Sequence, residues 1–559
     1  MAEKKLARFS SCRGVAFEIK PSSDPFAIKT APIDYPPPPN VRHWLPWGSS
    51  KRITPSMGSS RRYAPSIGGL TQRTSSSHFC DLDIDDDDDE DYDGLMADIE
   101  EGFDKEEEQK DSSTLERSPT QLLSKVAKKP KDARLSVILL DQGLFTVYKR
   151  LFVLCLTINI TLLVLASTGN FRYARDKAAL FSIANILALT ICRSEACLRG
   201  VFWLAVKLLG HSWVPLRLKT AVTSFLQCLG GIHSGTGVSS VAWLIYALVL
   251  TIQDRENTSN AIIGIASTIL SLLVLSCLAA FPLVRHLHHN VFERIHRFAG
   301  WSSLGLLWAF ITLKLTYDSE TKSYKNSSIL IEHQEFWFTL AITILIILPW
   351  LTVRRVAVKI SAPSGHASII KFQGGVKSGI LGRISPSPMS EWHAFGIISD
   401  GKQEHMMLAG AVGDFTKSLV SNPPSHLWVR TVHFAGLPYL VNMYNRVLVV
   451  ATGSGICVFL SFLLQPSSAD VCLLWVAKGI EQNFGKEIKE MTSGFPKDKV
   501  IVHDTAILGR PDVSQMSIDA AKNWGAEVVI VTSNPEGSRD VVNACKASGI
   551  PAFGPIWDS

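Results

Sequence analysis

Six apolar stretches between residues 136 and 355 constrain this chain more than any other feature: 149–168, 178–206, 222–252, 260–284, 298–316 and 335–352. Each is long enough, or nearly so, to cross ~30 Å of hydrocarbon as a helix. Helices suit that setting because they satisfy their own backbone donors and acceptors. The second and third stretches carry polar residues or glycines, so hydropathy leaves their ends open. Basic residues give an orientation. Lys149 and Arg150 precede the first stretch, and Arg193, Arg199, Lys207, Arg217 and Lys219 gather around the junction of the second and third. Arg285, Arg294 and Arg297 lie between the fourth and fifth, and Arg354, Arg355 and Lys359 follow the sixth. The opposite connections, Asp254-Arg255-Glu256 and Tyr317 to Glu335, are mixed or acidic; only Arg172, Arg175 and Lys177 run against the trend. The positive-inside rule then predicts an integral membrane protein, held in a lipid bilayer with both termini cytosolic.

The flanks differ sharply. Residues 1–135 contain Pro36–Pro39, the acidic run DLDIDDDDDEDYD at 81–93 and few apolar clusters, the composition of a disordered cytosolic region. The formal net charge of +6 hides this segregation. Because the basic residues flank apolar stretches and build no stripe on a soluble face, nucleic acid is not an expected partner. Ten cysteines are scattered without a CxxC pair, so neither a disulfide framework nor a zinc site is expected.

Beyond residue 360 the pattern changes again. Residues 360–440 read as short strands broken by Gly, Ser and Pro, as in a small barrel. Residues 441–559 alternate strand signals (Val447–Ala451, Val471–Ala477, Val528–Thr532) with helical ones (Ser514–Trp524, Ser538–Ser548), which indicates a parallel α/β sheet. In RVLVVATGSGICVFLSFLL an apolar strand runs into Gly453-Ser454-Gly455, and an apolar, helix-compatible run follows. Such a turn lets backbone N–H groups and a helix N-terminus approach a pyrophosphate. The expected fold is therefore multi-domain: a polytopic α-helical membrane domain of about six spans (136–355), a β-barrel (360–440), and an α/β nucleotide-binding domain (441–559).

This order of parts resembles the ferric reductase and NADPH oxidase superfamily, over roughly residues 145–559. That family joins a six-helix haem-binding membrane domain to a cytosolic domain of ferredoxin–NADP reductase type. The C-terminal VTSNPEGSRDVVNACKASGIPAFGPIWDS looks most like its TmpA-like integral membrane branch. Glu391-Trp392-His393-Ala394-Phe395-Gly396 resembles the flavin-binding His-Pro-Phe-Thr strand, with His393 and Phe395 matching and Ala394 and Gly396 departing. Gly413-Asp414-Phe415-Thr416 resembles the Gly-Asp-Trp-Thr strand of the barrel. Gly453-Ser454-Gly455-Ile456-Cys457 resembles the Gly-x-Gly-Ile-Gly turn that receives the nicotinamide cofactor, with Cys457 in place of the last glycine. Asn534-Pro535-Glu536 stands where the family has Cys-Gly-Pro.

The resemblance implies FAD at His393 and Phe395, NAD(P)H at Gly453, Ser454 and Gly455, and a terminal aromatic, Trp557 or Phe553, covering the flavin ring or simply packing. It also implies haem held by histidines on the third and fifth spans. His233 and His296 match the first of each pair, but Ala247 and Ala309 stand where the second members belong, so at most one haem is expected. Two readings of His233 stand: an axial ligand, or an interhelical hydrogen bond beside small residues. Gly230, Gly231, Gly235 and Gly237 read as positions of close helix approach. The implied function is a flavin-dependent oxidoreductase taking hydride from cytosolic NAD(P)H and passing electrons to an acceptor. The alternative is a catalytically degenerate reductase fold used for nucleotide sensing or as a scaffold.

Overall fold

The computed structural model describes residues 8–10, 16–18, 142–281, 284–285, 289–325 and 327–556. Met1–Leu70 is a unit of its own, described only through the antiparallel pair of Arg8–Ser10 with Ala16–Glu18. The rest of the expected disordered region 1–135 lies outside the described residues, as does Trp557.

The helical half runs α1 (Gln142–Ser167), α2 (Arg172–Asp176), α3 (Ala178–Ile191), α4 (Glu195–Leu209), α5 (Leu216–Gln227), α6 (Gly230–Gln253), α7 (Asn260–Ala279), α8 (His289–Thr316) and α9 (Gln334–Leu351). By length and composition, α1, α6, α7, α8 and α9 are each able to cross a membrane. The expected second stretch, 178–206, is not one helix. α3 stops at Ile191, and α4 departs at 65°. Ser194 explains the break: its hydroxyl accepts from the Cys197 amide at 3.5 Å and caps a new helix inside a run that hydropathy reads as continuous. The expected third stretch, 222–252, likewise divides at Cys228 and Leu229 into α5 and α6.

α6 is the hub of the bundle, packing on α1, α3 and α7. Its glycines explain part of this. A Cβ at Gly231 would strike the Tyr148 carbonyl of α1, and one at Gly235 would lie 2.9 Å from Cys155 Cβ. Gly237 has open space around it, so the close-approach expectation holds at Gly231 and Gly235 and fails at Gly237. One buried polar node ties three helices together: Asn159 Oδ1 accepts from Asn185 Nδ2 and from Trp243 Nε1, both at 2.9 Å. Hydrogen bonds of this kind give helix packing its register where lipid offers no competing partner.

The second half begins with strands β1 (Val353–Ala357), β2 (Lys359–Ser361), β3 (Ala367–Gln373), β4 (Ile380–Ser385), β5 (His393–Gly396), β6 (Ile398–Ser399) and β7 (Glu404–Gly410). Helix α10 (Asp414–Ser421) and strands β8 (His426–Arg430) and β9 (Phe434–Ala435) follow. They form two antiparallel sheets, ordered β6-β7-β3-β2 and β9-β4-β8-β1, with β5 paired to β4. A 3₁₀ segment, Leu437–Met443, leads into a parallel sheet. Its elements are β10 (Arg446–Thr452), α11 (Leu460–Leu464), β11 (Asp470–Ala477), α12 (Ile480–Ser493), β12 (Val500–Asp504), α13 (Thr505–Leu508), α14 (Val513–Trp524), β13 (Val528–Thr532), α15 (Pro535–Ala547) and β14 (Ala552–Phe553). The order β12-β11-β10-β13-β14 puts β10 at the centre of a doubly wound sheet, as the alternating pattern predicts.

Helices and reductase-like half share their cores. Phe202 of α4 and Leu226 of α5 belong to the same buried cluster as the barrel and one face of the parallel sheet. Val147, Tyr148 and Leu151 of α1 pack on the cluster beneath the other face. A charged clamp fixes this union. Glu195, at the start of α4, accepts from Arg430 of β8 at 3.0 Å and from Arg383 of β4. The two guanidiniums also lie over aromatic rings, Arg430 over Trp392 and Arg383 over Phe434, each at 4.9 Å.

Two outcomes are expected. Removing the Glu195 carboxylate (Glu195→Ala) leaves two half-buried guanidiniums without their acceptor and lowers stability by about 2 kcal/mol, read as an earlier thermal transition of the purified protein. Gly235→Leu forces α1 and α6 apart at a cost of about 1–3 kcal/mol, whereas Gly237→Leu leaves the transition unchanged.

Candidate functional site

The barrel brings two of the sequence motifs together. Antiparallel pairing of β5 with β4 sets His393 opposite Ile384 and Gly396 opposite Leu381. His393 then stacks on Phe415, with ring centroids 4.7 Å apart and planes inclined by 12°. Phe415 comes from Gly413-Asp414-Phe415-Thr416, which is not the expected strand. Gly413 begins helix α10, and Thr416 Oγ1 accepts from the Gly413 amide at 3.0 Å. The Thr416 side chain therefore closes a helix start, a local bond that a strand reading cannot anticipate. Phe395, two residues on, is buried in the same shared core as Phe415.

Next to this stack lies a cavity of about 260 Å³ lined by Glu293, Arg294 and Arg297 of α8 and by Met389, Ser390 and Glu391. Arg297 spans it, donating to the Met389 carbonyl at 2.8 Å and the Ser390 carbonyl at 3.1 Å, and pairing with Glu293. Glu391 Oε1 is 4.0 Å from His393 Nε2. One residue before Arg297, His296 turns into the bundle. Its ring centroid is 6.5 Å from that of His233 on α6. Each Nδ1 is engaged: that of His233 with the Leu189 carbonyl at 3.0 Å, that of His296 with Ser276 Oγ at 2.7 Å. A metal held by two imidazoles takes two bonds of ~2 Å, which with the ring half-widths sets the centroids about 6 Å apart. The separation of the His233 and His296 rings is close to that value, and both rings are already oriented by partners at Nδ1.

The glycine turn behaves differently. It follows the central strand β10, where a doubly wound sheet places its ligands, and Gly453 adopts a positive φ of 50°. Yet Gly453, Ser454 and Gly455 are all buried. They open a 3₁₀ segment, and the following α-helix, α11, has only 5 residues. The helix-compatible run yields a 3₁₀ segment and this short helix, with Ile456, Cys457, Phe459, Leu460 and Phe462 all in the core. Strands β5 and β7 of the barrel pack directly on the turn. At the tightest point a Cβ on Gly396 would lie 2.7 Å from the Val458 amide nitrogen and 2.8 Å from its Cα. Ser461 bridges the same seam, donating to the Ile397 carbonyl at 2.7 Å and accepting from the Ser399 amide at 3.0 Å.

Neighbouring loops are also self-satisfied. The Asp504 carboxylate accepts from the amides of Gly479 and Ile480 at 2.8 and 2.9 Å, filling the N-terminus of α12. Asn534 caps α15 through the Gly537 amide at 2.8 Å, with Pro535 in the first turn, so Asn534-Pro535-Glu536 serves as a helix start. Phe553 is buried on β14, a packing role. Arg510 is exposed on its loop. Burial lowers the pKa of His433 to about 4, helped by nearby His405 and Arg199, and it raises that of the Cys457 thiol. Both are therefore neutral at pH 7. Sequence reasoning missed Glu195, Arg383 and Arg430. No spacing signal links them, since 188 and 235 residues separate the carboxylate from its two partners.

Residues 437–559 match the family model described as Adenylate-forming reductase 03009, C-terminal domain. Two curated relatives, Adenylate-forming reductase 03009 and Adenylate-forming reductase 06235 of Coprinopsis cinerea, are each 32% identical over 427 residues, covering 75% of this chain. The chain spans 41% of the length of each relative. Among solved structures, a flavohemoglobin from Malassezia yamatoensis aligns over 68% of this chain and 98% of its own, at 13% identity and a TM-score of 0.31. The ferredoxin–NADP+ reductase of Plasmodium falciparum aligns over 36% of this chain and 94% of its own, at 10% identity and a TM-score of 0.27. TM-scores this low carry no argument about function. The C-terminal 437–559 thus resembles the C-terminal domain of adenylate-forming reductases.

Proposed function

We propose that this chain is a membrane-embedded flavin reductase with one haem site, cytosolic termini and a nicotinamide dinucleotide as reductant. The observation that carries this reading is the continuity from the His393–Phe415 stack, through the cavity beneath Glu391, to Arg297 and the His233–His296 pair. Bound flavin supplies hydride acceptance and single-electron release, and haem iron supplies a one-electron site. Phe415 and His393 would support the flavin ring at the cavity mouth. Arg297 would hold the barrel loop against α8, and His233 and His296 would bind the iron end-on. The reductase names of the curated relatives support the reaction type, and five apolar helices of spanning length support the membrane location.

A second reading is favoured by one specific observation, the closed glycine turn. Gly453, Ser454 and Gly455 are buried under the barrel, and the α12 N-terminus is filled by Asp504. A fold sealed in this way suits a scaffold or sensor without turnover.

A visible spectrum of the purified full-length protein, taken before and after anaerobic NADPH or NADH and then dithionite, separates the two. The first reading expects flavin bleaching followed by sharpening of a haem band. The haem band is lost in His233→Ala and in His296→Ala, and flavin is lost in His393→Ala. If dithionite sharpens a haem band that neither nucleotide affects, the closed-turn reading takes its place. A folded protein without flavin or haem would sink the reductase reading. Independently, Gly396→Thr, which restores the residue of the resembling family, should lower stability by about 1–3 kcal/mol through overpacking against Val458, seen as a lower thermal midpoint.

A further inference from the structure

Helices α4 and α5 have two unlike faces. On α4, Leu198, Phe202, Ala205, Val206 and Leu209 point into or against the core shared with the barrel and the 437–443 segment. The opposite face carries Val201, Trp203, Leu204 and Leu208, at 44%, 50%, 47% and 56% exposure. α5 repeats the pattern, with Thr223 and Leu226 buried, and Leu218 and Phe225 exposed at 47% and 42%. The connector between them exposes Trp213 at 76%. A water-facing surface of that apolar content is unfavourable over two helices and their connector.

The bend of 65° decides what covers it. α4 leaves the bundle where α3 ends, and the Glu195 clamp presses one side of it onto the barrel. In the chain α4 follows α3, and α5 leads into α6, a helix long and apolar enough to cross a membrane. Between Ala196 and Gln253 the chain has no acidic residue and exposes Arg199, Lys207 and Arg217, while Lys219 is buried against the core side. Trp203 and Lys207 stack, with Nζ 4.9 Å from the ring centroid, a pairing of aromatic and cationic side chains suited to head-group depth. An in-plane amphipathic helix has this composition: aromatic and aliphatic residues towards the acyl chains, with basic residues to meet anionic head groups.

We propose that α4 and α5 form an in-plane strap lying at the head-group–acyl boundary of the leaflet that faces the reductase-like half. Its occupant is lipid, and its reverse face is part of the reductase core. The expected second span then ends at Ile191, and the basic residues around its end are a lipid-contact surface. This inference rests on the membrane reading given above.

The test uses the full chain in phosphatidylcholine–phosphatidylserine vesicles, with photoreactive benzoylphenylalanine placed singly at Val201, Leu204, Leu208, Thr268 or Lys486. Thr268 is exposed at mid-helix on α7, and Lys486 is exposed on α12. All five are surface positions, so the larger side chain does not enter the core. After illumination, mass spectrometry identifies the adducts and the part of the lipid attacked. Lipid adducts are expected at 201, 204 and 208, all near the glycerol end of the acyl chains. Thr268 should give adducts deep in the chains and Lys486 none. Adduct depth that changes steadily from 201 to 208 would mean that α4 spans, and would overturn the strap. Lipid adducts at 268 but none at 201, 204 and 208 would overturn it while leaving the membrane reading intact. No lipid adduct at 268 would remove the membrane reading and the strap together.

Discussion

The carboxylate of Glu195, shared between Arg383 and Arg430, is the interaction on which the arrangement of the two halves depends. It sits at the first turn of α4, where the helix dipole favours negative charge. It reaches two barrel strands, β4 and β8, that are neighbours in the same sheet. Because the strands are paired and the helix is capped by Ser194, the clamp has little freedom. Once it is set, Phe202 can enter the barrel core and α8 is left with its N-terminal part over the 389–391 loop. The cavity and the His393 stack inherit their positions from that placement. Burial pushes the Arg430 pKa down, and the Glu195 charge opposes that shift.

Much of this fold is legible in the sequence. Strand patterns located β10, β11 and β13 to within a residue or so, because buried parallel strands leave unbroken apolar runs. Helices α14 and α15 match the helical signals at Ser514–Trp524 and Ser538–Ser548, although the caps Asp512 and Asn534 that start them earlier fall outside those signals. Four features were not legible, each for a physical reason. The break at Ser194 depends on a single side-chain bond within an apolar run. The helix at Asp414 depends on a Thr416 contact that a strand motif disguises. The burial of Gly453–Gly455 depends on barrel strands more than forty residues upstream. The clamp joins residues far apart in sequence. In each case tertiary contact outweighed local pattern.

The candidate site divides along the same line. His233 was legible as a polar residue inside an apolar stretch and His296 only through the family resemblance, and the structure brings their rings to 6.5 Å. His393 was legible as a motif residue and meets Phe415, which the motif search had placed on a strand. The glycine turn was legible as a turn and in its place after the central strand, but its lack of exposure was not. A helical bundle with two facing histidines is thus joined to a doubly wound sheet whose glycine turn is covered by the protein's own strands.

Gly396 shows how such a closure becomes permanent. Its missing side chain is not simply the loss of a hydroxyl beside a flavin, since the space that hydroxyl would use is taken by the backbone of Val458. Any return to a larger residue at 396 must be preceded by a shift of the 453–458 segment, and that shift offers no advantage while 396 remains glycine. The two positions therefore constrain each other: a side chain at 396 and the present path of 453–458 exclude one another, so a larger residue is accommodated only together with a second change in that segment.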